Sequence, residues 1–397
     1  MTTPQNVSSQ SLKILLVINL PWDARLGAVR VFMEVADAWK RAGHTVSVFS
    51  ASEAFPDAAG SPAVRALRQI FFQRKAADFV RRHSREFDVV DALIGSLSAS
   101  KRTLGFDGLL VARSVGLHLL YERFDVEARC RWINPKGRAL TRLFYGATHR
   151  WLRRLSNSSL RTADVVNVPN EAERRRLVEA GVPADNIIVQ PFGLNSSRRA
   201  ELNAAAVDPQ KRLELRKIVF VGMWSPRKGS KDWAEILRLV WKQNPDVCFR
   251  FLGTMTAVDN VMLDLGLKHS TRLEIFPEFS QDELPRYLSD CAVGAFPSYV
   301  EGFGIAVLEQ LAAGVPTVAY DVPGPRDMLA RVDANLLVPP GDLPAFVSAL
   351  LQVLQLDSDG YNQISRRCKA EAVAFDWGEI AAATAADYRR RLLAHHA

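Results

Sequence analysis

The sequence lacks the features that mark secreted, membrane-spanning and metal-binding proteins. Its 397 residues contain four cysteines, and no two of them are spaced as a CxxC pair: Cys130, Cys248, Cys291 and Cys368. Such scattered cysteines indicate reduced thiols and argue against a disulfide framework or a zinc site. No apolar run approaches the ~18–20 residues needed to span a bilayer. The first eleven residues also lack the basic-then-apolar layout of a signal peptide, so we expect a cytoplasmic protein.

Two further features of the sequence restrict the chemistry. The first predicted strand, Leu12–Asn19, is not followed by a G-x-G-x-x-G segment, which argues against a nicotinamide-dependent dehydrogenase. An Asp-x-Asp pair, a pattern that can bind a metal ion, does occur at Asp357-Ser-Asp359. We discount it because it lies late in the chain, in a predicted polar turn. We therefore expect neither an essential metal nor a separate cofactor.

Positive charge is unevenly distributed. The net charge is +8, and the whole excess lies before residue 211, including two amphipathic basic stretches, Arg65–Arg85 and Arg138–Arg161. A helix of this kind suits an anionic lipid surface, with about 1 kcal/mol per nearby cation. It equally suits an ordinary packed helix with a solvated basic face. No nucleic-acid-binding motif accompanies the charge, so we expect no nucleic-acid partner.

The length and the order of predicted elements indicate two α/β domains. The N-terminal half opens with a buried strand at Leu12–Asn19, a helix at Val29–Ala42 and a strand at Thr45–Phe49, which is the pattern of a parallel sheet. A second such series begins with the apolar strand Lys217–Gly222. The polar, charged and alanine-rich residues 201–214 between the two series are predicted to be a linker.

The most informative segment is residues 296–320. A short apolar strand, Ala292–Phe296, is followed by a glycine-containing loop at Ser298–Gly304 and a predicted helix, Ile305–Ala313, that ends at Gly314. A strand that enters a helix through a glycine loop directs free backbone N–H groups above the sheet, which suits a phosphate group.

Two carboxylates accompany this loop. Glu301 and Glu309 are separated by eight residues, which corresponds to about 12 Å along a helix. A retaining glycosidase needs its carboxyl groups about 5 Å apart, so this is a poor hydrolytic pair. The spacing instead suits two anchors on one elongated ligand, and a nucleotide-sugar has that shape.

The pattern P-S-x-x-E-G-F-G-x-x-x-x-E, followed by A-x-G-x-P-T-V, resembles the donor site of retaining GT-B glycosyltransferases of family 4. The resemblance implies that Glu301 binds hydroxyls of the donor sugar and that Glu309 binds the ribose. It also implies that backbone groups of Gly302, Phe303, Gly304 and Ile305 face the diphosphate. The implied fold is α/β, with two Rossmann-like doubly wound domains and the active site in the cleft between them.

The resemblance extends to domain boundaries and to the diphosphate site. It implies an acceptor domain at 1–200, the linker, a donor domain at 215–375 and a C-terminal helix at 376–397 that packs back on the acceptor domain. In Gly222-Met-Trp-Ser-Pro-Arg227-Lys228-Gly229 it implies that Lys228 binds the diphosphate. Met223 stands where the family usually has arginine, and Arg227 is a candidate replacement. Glu278 is implied to lie near the nucleotide base.

Two N-terminal segments fit the family less well. Gly27 lies in a loop that resembles the family's glycine loop, which lies against the donor phosphate and the acceptor. An equal alternative is that this loop has only a structural role. The family often has R-S-H-G where this chain reads Arg113-Ser114-Val115-Gly116, so Val115 replaces a histidine that faces the donor sugar. His118 either reaches in from three residues later or is an ordinary helix-face histidine.

The function implied is retaining, metal-independent hexosyl transfer from a UDP- or GDP-sugar. The acceptor implied is a glycan or lipid-linked molecule of bacterial polysaccharide or lipopolysaccharide assembly, with possible attachment to an anionic membrane through the basic N-terminal stretches. A catalytically silent nucleotide-sugar-binding subunit and a sugar-nucleotide epimerase are the alternatives. The silent subunit would bind a nucleotide-sugar without transferring it, and an epimerase would convert the donor alone into a new sugar.

Overall fold

The computed structural model describes residues 11–56, 62–117, 120–121, 124–125, 128 and 139–396. These residues form two compact units. The first unit takes its residues from 1–119, 136–192 and 377–397, and the second takes them from 120–135 and 193–376.

The first unit contains a six-stranded parallel sheet. Its strands are β1 (Lys13–Ile18), β2 (Thr45–Ser50), β3 (Val89–Leu93), β4 (Leu109–Arg113), β5 (Val165–Val168) and β6 (Ile187–Val189). Their order across the sheet is β2-β1-β3-β4-β5-β6, and all pairings are parallel. Residues 14–18 of β1 are completely buried, as expected for a strand that is covered on both faces of a parallel sheet.

Helices connect these strands. They are α1 (Gly27–Arg41), α2 (Ala51–Ala54), α3 (Pro62–Arg82), α4 (Lys101–Leu104), α5 (Ala139–Thr162) and α6 (Glu171–Glu179). Helix α1 is amphipathic, and its apolar stripe, which includes Val31, Phe32, Val35 and Trp39, is fully buried.

The C-terminal helix, Trp377–His396, also belongs to the first unit and is numbered α16 in chain order. The Tyr388 hydroxyl donates to Asp91 at 2.8 Å and accepts from Arg113 at 3.1 Å, and Arg113 pairs with Asp91 at 2.6 Å. All three side chains are buried. The Trp39 indole N–H also donates to the Ala381 carbonyl at 3.0 Å. These polar contacts fix α16 on α1 and on the sheet.

The second unit contains another six-stranded parallel sheet. Its strands are β7 (Lys217–Val221), β8 (Cys248–Leu252), β9 (Leu273–Phe276), β10 (Val293–Phe296), β11 (Thr317–Tyr320) and β12 (Leu337–Val338). The order is β12-β11-β10-β7-β8-β9. The strand order therefore reverses between β7 and β10, where parallel α/β sheets bind ligands at the carboxyl ends of the strands.

Helices surround this sheet as well. They are α7 (Ser196–Ala204), α8 (Pro209–Leu215), α9 (Trp233–Gln243), α10 (Val258–Asp264), α11 (Leu284–Ser289), α12 (Ile305–Ala312), α13 (Pro325–Val332), α14 (Leu343–Leu354) and α15 (Ser358–Val373). The predicted α/β fold with two Rossmann-like parallel sheets is confirmed.

Two sequence predictions can be compared with the fold. Residues 201–214, predicted to be a linker, lie mostly in α7 and α8 of the second unit. Arg212 of α8 is buried and donates to the backbone oxygens of Ser289 at 2.8 Å and Gly314 at 3.1 Å, which holds this segment on the unit. The Asp357-Ser-Asp359 segment is a helix start rather than a free turn. Asp357 caps α15 by accepting from the Gly360 N–H at 2.8 Å.

Within the described residues, none of the helices has the length and apolar character required to cross a membrane.

Candidate functional site

The loops that follow β7 and β10 are packed against each other at the carboxyl edge of the second sheet. Gly229 makes this approach possible, because a Cβ atom at that position would lie 2.3 Å from the Pro297 carbonyl oxygen. Its φ of +79° also favours glycine. The Tyr299 N–H donates to the Arg227 carbonyl at 2.9 Å. The two loops therefore form one rigid surface.

Lys228 and Glu301 form a buried ion pair where these loops meet. The ammonium group of Lys228 bonds to Oε1 of Glu301, and the side chains are only 15% and 7% exposed. Burial lowers the pKa of Lys228, although the Glu301 carboxylate opposes this change. Arg227 lies 3.8 Å from the same oxygen and donates to the Val300 carbonyl at 3.2 Å. Two cations thus converge on one carboxylate.

A buried aspartate that the sequence analysis missed braces this arrangement. Asp232 accepts hydrogen bonds from the hydroxyls of Tyr299 and Tyr320, each at 2.7 Å. Tyr299 belongs to the loop after β10, and Tyr320 is the last residue of β11. The Asp232 carboxylate therefore connects the loop after β7 to the β10 loop and to β11. Burial, aided by the nearby Asp232, raises the pKa of Tyr320 far above its usual range. The sequence shows Asp232 only as one more polar residue before a helix.

The glycine turn of the β10 loop leads into the N-terminus of α12. Gly304 has a φ of +89° and precedes the helix without providing a side-chain cap. Phe303 is buried, and a Cβ atom on Gly324 would lie 2.3 Å from its carbonyl oxygen. Close packing therefore fixes the turn, while the first amide groups of α12 have no capping side chain. Such a helix end attracts anions.

Glu309 lies further along α12 and is also buried, with 3% of the residue exposed. Arg198 of α7 lies 3.7 Å from its Oε1 atom and donates to the Gln281 carbonyl at 2.6 Å. Arg198 is another residue that the sequence analysis missed, since it is distant in sequence from the donor motifs.

Unsatisfied polar atoms mark the same region. Among the described residues, three buried side-chain polar atoms lack a hydrogen-bond partner, and two of them are the hydroxyl oxygens of Ser225 and Ser298. Ser225 lies in the β7 loop and Ser298 in the β10 loop. Because buried polar groups in proteins are normally bonded, two such hydroxyls on the loops that carry the ion pair favour a ligand-binding surface.

The remaining predicted residues occupy different places. Gly222 follows β7, and a Cβ atom there would lie 3.8 Å from the Lys228 side chain. Glu278 is exposed, two residues after β9. Gly27 begins α1 in the first unit. His118 lies outside the described residues.

The arginines near Gly27 are already paired. Arg25 contacts Asp23 at 2.6 Å, and Arg30 contacts Glu34 at 2.7 Å. An anion at this loop would have to compete with these carboxylates.

Cysteine and metal chemistry find no support in the described part of the chain. Cys248, Cys291 and Cys368 are free thiols, and burial raises the pKa of Cys291 to about 12. No group of three or more His, Cys, Asp or Glu side chains is arranged to hold a metal ion there.

Two family profiles match the chain, and each covers most or all of the strands of one sheet. The profile described as Glycosyltransferase Family 4 matches residues 26–198, and the profile described as Glycosyl transferases group 1 matches residues 216–356. Together they span most of the sequence. The chain belongs to the group 1 glycosyltransferases of the GT-B fold.

Characterised relatives are distant. The D-inositol 3-phosphate glycosyltransferase of Mycobacteroides abscessus is 26% identical over 242 residues, which are 59% of this chain and 53% of the relative. The O-antigen chain mannosyltransferase B of Escherichia coli is 22% identical over 60% of this chain and 64% of that protein. The chain thus matches between about half and two thirds of these relatives' length.

Solved structures share the fold across nearly the whole chain. The sucrose-phosphate synthase of Thermosynechococcus elongatus superposes with a TM-score of 0.69 and 19% identity, covering 96% of this chain and 100% of that one. Anabaena HepE, solved in complex with UDP and glucose, gives a TM-score of 0.62 with 19% identity. The superposition covers 95% of this chain and 99% of that one.

Proposed function

We propose that this family member is a retaining glycosyltransferase that moves a hexose from a UDP- or GDP-sugar to an acceptor hydroxyl without a metal ion. The observation that carries the proposal is the buried Lys228–Glu301 pair beside the uncapped N-terminus of α12. This arrangement combines a cation for a diphosphate with a carboxylate for sugar hydroxyls on a preorganised surface.

The proposed chemistry depends on stabilising the leaving group. When the sugar–phosphate bond breaks, its electron pair and the negative charge remain on the diphosphate. Lys228, Arg227 and the backbone N–H groups at Gly304 and Ile305 would bind that charge, and fixed cations and dipoles of this kind lower the barrier. Since Arg227 already approaches Glu301, it can supply the positive charge that Met223 does not.

Glu301 has a second role in this proposal. Once Lys228 turns to the diphosphate, the carboxylate is free to accept hydrogen bonds from donor-sugar hydroxyls. Glu309, held by Arg198, would accept from the ribose hydroxyls, and the hydroxyls of Ser225 and Ser298 would find acceptors on the ligand. The acceptor hydroxyl would attack the anomeric carbon on the face that the diphosphate leaves, which retains the configuration, and its proton would pass to the oxygen of the leaving diphosphate.

Donor and acceptor classes are suggested by relatives. Related structures contain UDP and UDP-glucose, and two relatives are an O-antigen chain mannosyltransferase and a lipopolysaccharide outer core galactosyltransferase. A UDP- or GDP-hexose and a glycan or lipid-linked acceptor of bacterial polysaccharide assembly are therefore proposed. The exposed arginines Arg150, Arg153 and Arg154 of α5 would favour an anionic membrane surface.

One observation favours a second candidate, a nucleotide-sugar-binding subunit without transferase activity. Met223 is half exposed at the position where the family usually has arginine. Such a subunit would bind the donor and release product only in the presence of another chain.

The test is a transfer assay in EDTA with UDP- and GDP-hexoses and glycan or lipid-linked acceptors, in which proton NMR reports the anomeric configuration of the product. We expect retained configuration and a loss of activity of at least a hundredfold in Glu301→Gln, in line with loss of a group that stabilises the transition state. Glu235→Gln is the matched control, since Glu235 lies on the surface of α9 and pairs only locally with Arg238. Donor binding without transfer would favour the subunit, and full activity of Glu301→Gln would refute the site assignment.

A further inference from the structure

Glu173 is a buried carboxyl group that the donor chemistry does not use. It lies in the first turn of α6 in the first unit and is completely buried. The side chain of Asn170, which caps this helix, accepts from the Glu173 N–H at 2.8 Å. The helix start is therefore already capped, and the Glu173 side chain is available for another partner.

That partner is the turn that follows β4. The Ser114 hydroxyl donates to Oε2 of Glu173 at 2.6 Å, and the Leu117 N–H donates to Oε1 at 3.2 Å. The Gly116 N–H donates to the Ser114 hydroxyl at 3.1 Å, and the Ser114 N–H donates to the Asn167 carbonyl at 2.7 Å. One carboxyl group thus holds both ends of the turn from residue 114 to residue 117.

Glu173 has an unfavourable environment for a carboxylate. Burial raises its pKa to about 7, although the bonds from Ser114 and Leu117 oppose the change. No charged side chain in the described part of the chain contributes to that shift. A buried acid without a cation is destabilising compared with an apolar residue of similar size. Its presence is explained if the turn needs two acceptor atoms at this point.

The position of the turn indicates why its shape matters. It lies at the carboxyl end of β4, the edge at which parallel α/β sheets bind ligands. Val115 and Gly116 at its tip are partly exposed, whereas Ser114 and Leu117 at its ends are buried. Glu173 therefore fixes both ends of the turn, and the residues at its tip are partly exposed to solvent.

We propose that Glu173 is a positioning residue for sugar transfer, which holds the turn 114–117 in the shape that contacts the substrate. This inference rests on the proposed function. Glu173 itself touches no substrate and acts through Ser114 and Leu117. Because a carboxylate accepts stronger hydrogen bonds than a carboxylic acid, the turn is held most firmly when Glu173 is ionised.

The test compares three variants of the full chain. Glu173→Gln keeps the size but loses the charge and one acceptor, and Ser114→Ala removes one bond while leaving the carboxyl group in place. Glu171→Gln is the matched control, because Glu171 is two residues away on the same helix, 51% exposed and paired with Arg174. Hydrogen–deuterium exchange of the peptide that contains Leu117 reports the turn directly, and no substrate is needed.

We expect faster exchange at Leu117 in Glu173→Gln and Ser114→Ala, and wild-type exchange in Glu171→Gln. In the transfer assay kcat should fall about ten- to a hundredfold in Glu173→Gln, as for a lost hydrogen bond to a charged group, while the affinity for free UDP or GDP stays the same. Wild-type kcat/KM should rise with pH through about 7, and this rise should be absent in Glu173→Gln.

Unchanged exchange in both turn variants would overturn the inference, as would faster exchange with unchanged kcat. If Glu173→Gln does not fold, Ser114→Ala decides the question by the same two readouts. If the wild-type chain binds and transfers no nucleotide-sugar, the proposed function fails, whereas the exchange difference still decides whether Glu173 holds the turn.

Discussion

Breaking the Lys228–Glu301 pair from one side should destabilise the second unit, and breaking it from both sides should restore much of the loss. Lys228→Met leaves the 7%-exposed Glu301 carboxylate without its nearest cation. Loss of one partner of a buried pair costs about 3–5 kcal/mol. Arg227, at 3.8 Å from the same oxygen, offsets part of this, so we expect about 3 kcal/mol for the single variant.

The double variant Lys228→Met/Glu301→Gln also removes the negative charge of Glu301, which the single variant leaves without its nearest cation. Its stability should return to within about 1 kcal/mol of wild type, since uncharged groups of similar shape replace a buried pair at little cost. The coupling energy of the double-mutant cycle should therefore be about 2 kcal/mol or more, as for directly interacting groups.

Native-state hydrogen exchange at the amides of β10 and α12 measures these energies within the second unit. This readout does not require the two units to unfold together. Arg238→Met, which breaks an exposed pair with Glu235, is the control and should change little. Additive effects of Lys228→Met and Glu301→Gln would refute the claim that the two side chains form a coupled pair.

Three further predictions concern the packing that supports the site. Gly229→Ala places a methyl group against the Pro297 carbonyl and strains a left-handed backbone, so it should lower the melting temperature and abolish donor binding, both measured by thermal shift. Tyr388→Phe removes the hydroxyl from a buried network and should cost about 1–3 kcal/mol, which limited proteolysis of α16 would detect. Burial alone would raise the pKa of Asp290, but Lys217 and Arg250 lower it overall. Asp290→Asn should therefore destabilise the protein at pH 7, and the difference from wild type in urea unfolding should shrink as the pH falls below about 4; a difference that stays constant or grows as the pH falls below that value would contradict this.

The parts of the fold that are encoded locally were predictable from the sequence. Buried parallel strands such as β1 and β7 are continuous apolar runs, and their approximate bounds follow from those runs. The loop at 298–304 was recognisable because its glycines, its carboxylate and the following helix are adjacent in the chain. The site therefore emerged mainly from one contiguous segment.

Other features depend on contacts between distant residues and were missed for that reason. Residues 201–214 look like a linker by composition, yet Arg212 ties them to carbonyl oxygens more than 70 positions away. Asp232 connects the loops of the site only because folding brings the hydroxyls of Tyr299 and Tyr320 within hydrogen-bond distance of it. Glu173 likewise meets Ser114 across 59 positions, and no local pattern marks either carboxylate as important.

The most direct test of the central claim is isothermal titration of the wild-type protein and of Lys228→Ala with UDP-, GDP- and ADP-hexoses in EDTA. The account predicts that wild type binds a UDP- or GDP-hexose without metal and that Lys228→Ala loses that affinity by at least tenfold, as expected when a charge-assisted contact to a phosphate is removed. Equal affinity of the two proteins, or no binding of any nucleotide-sugar by wild type, would contradict it.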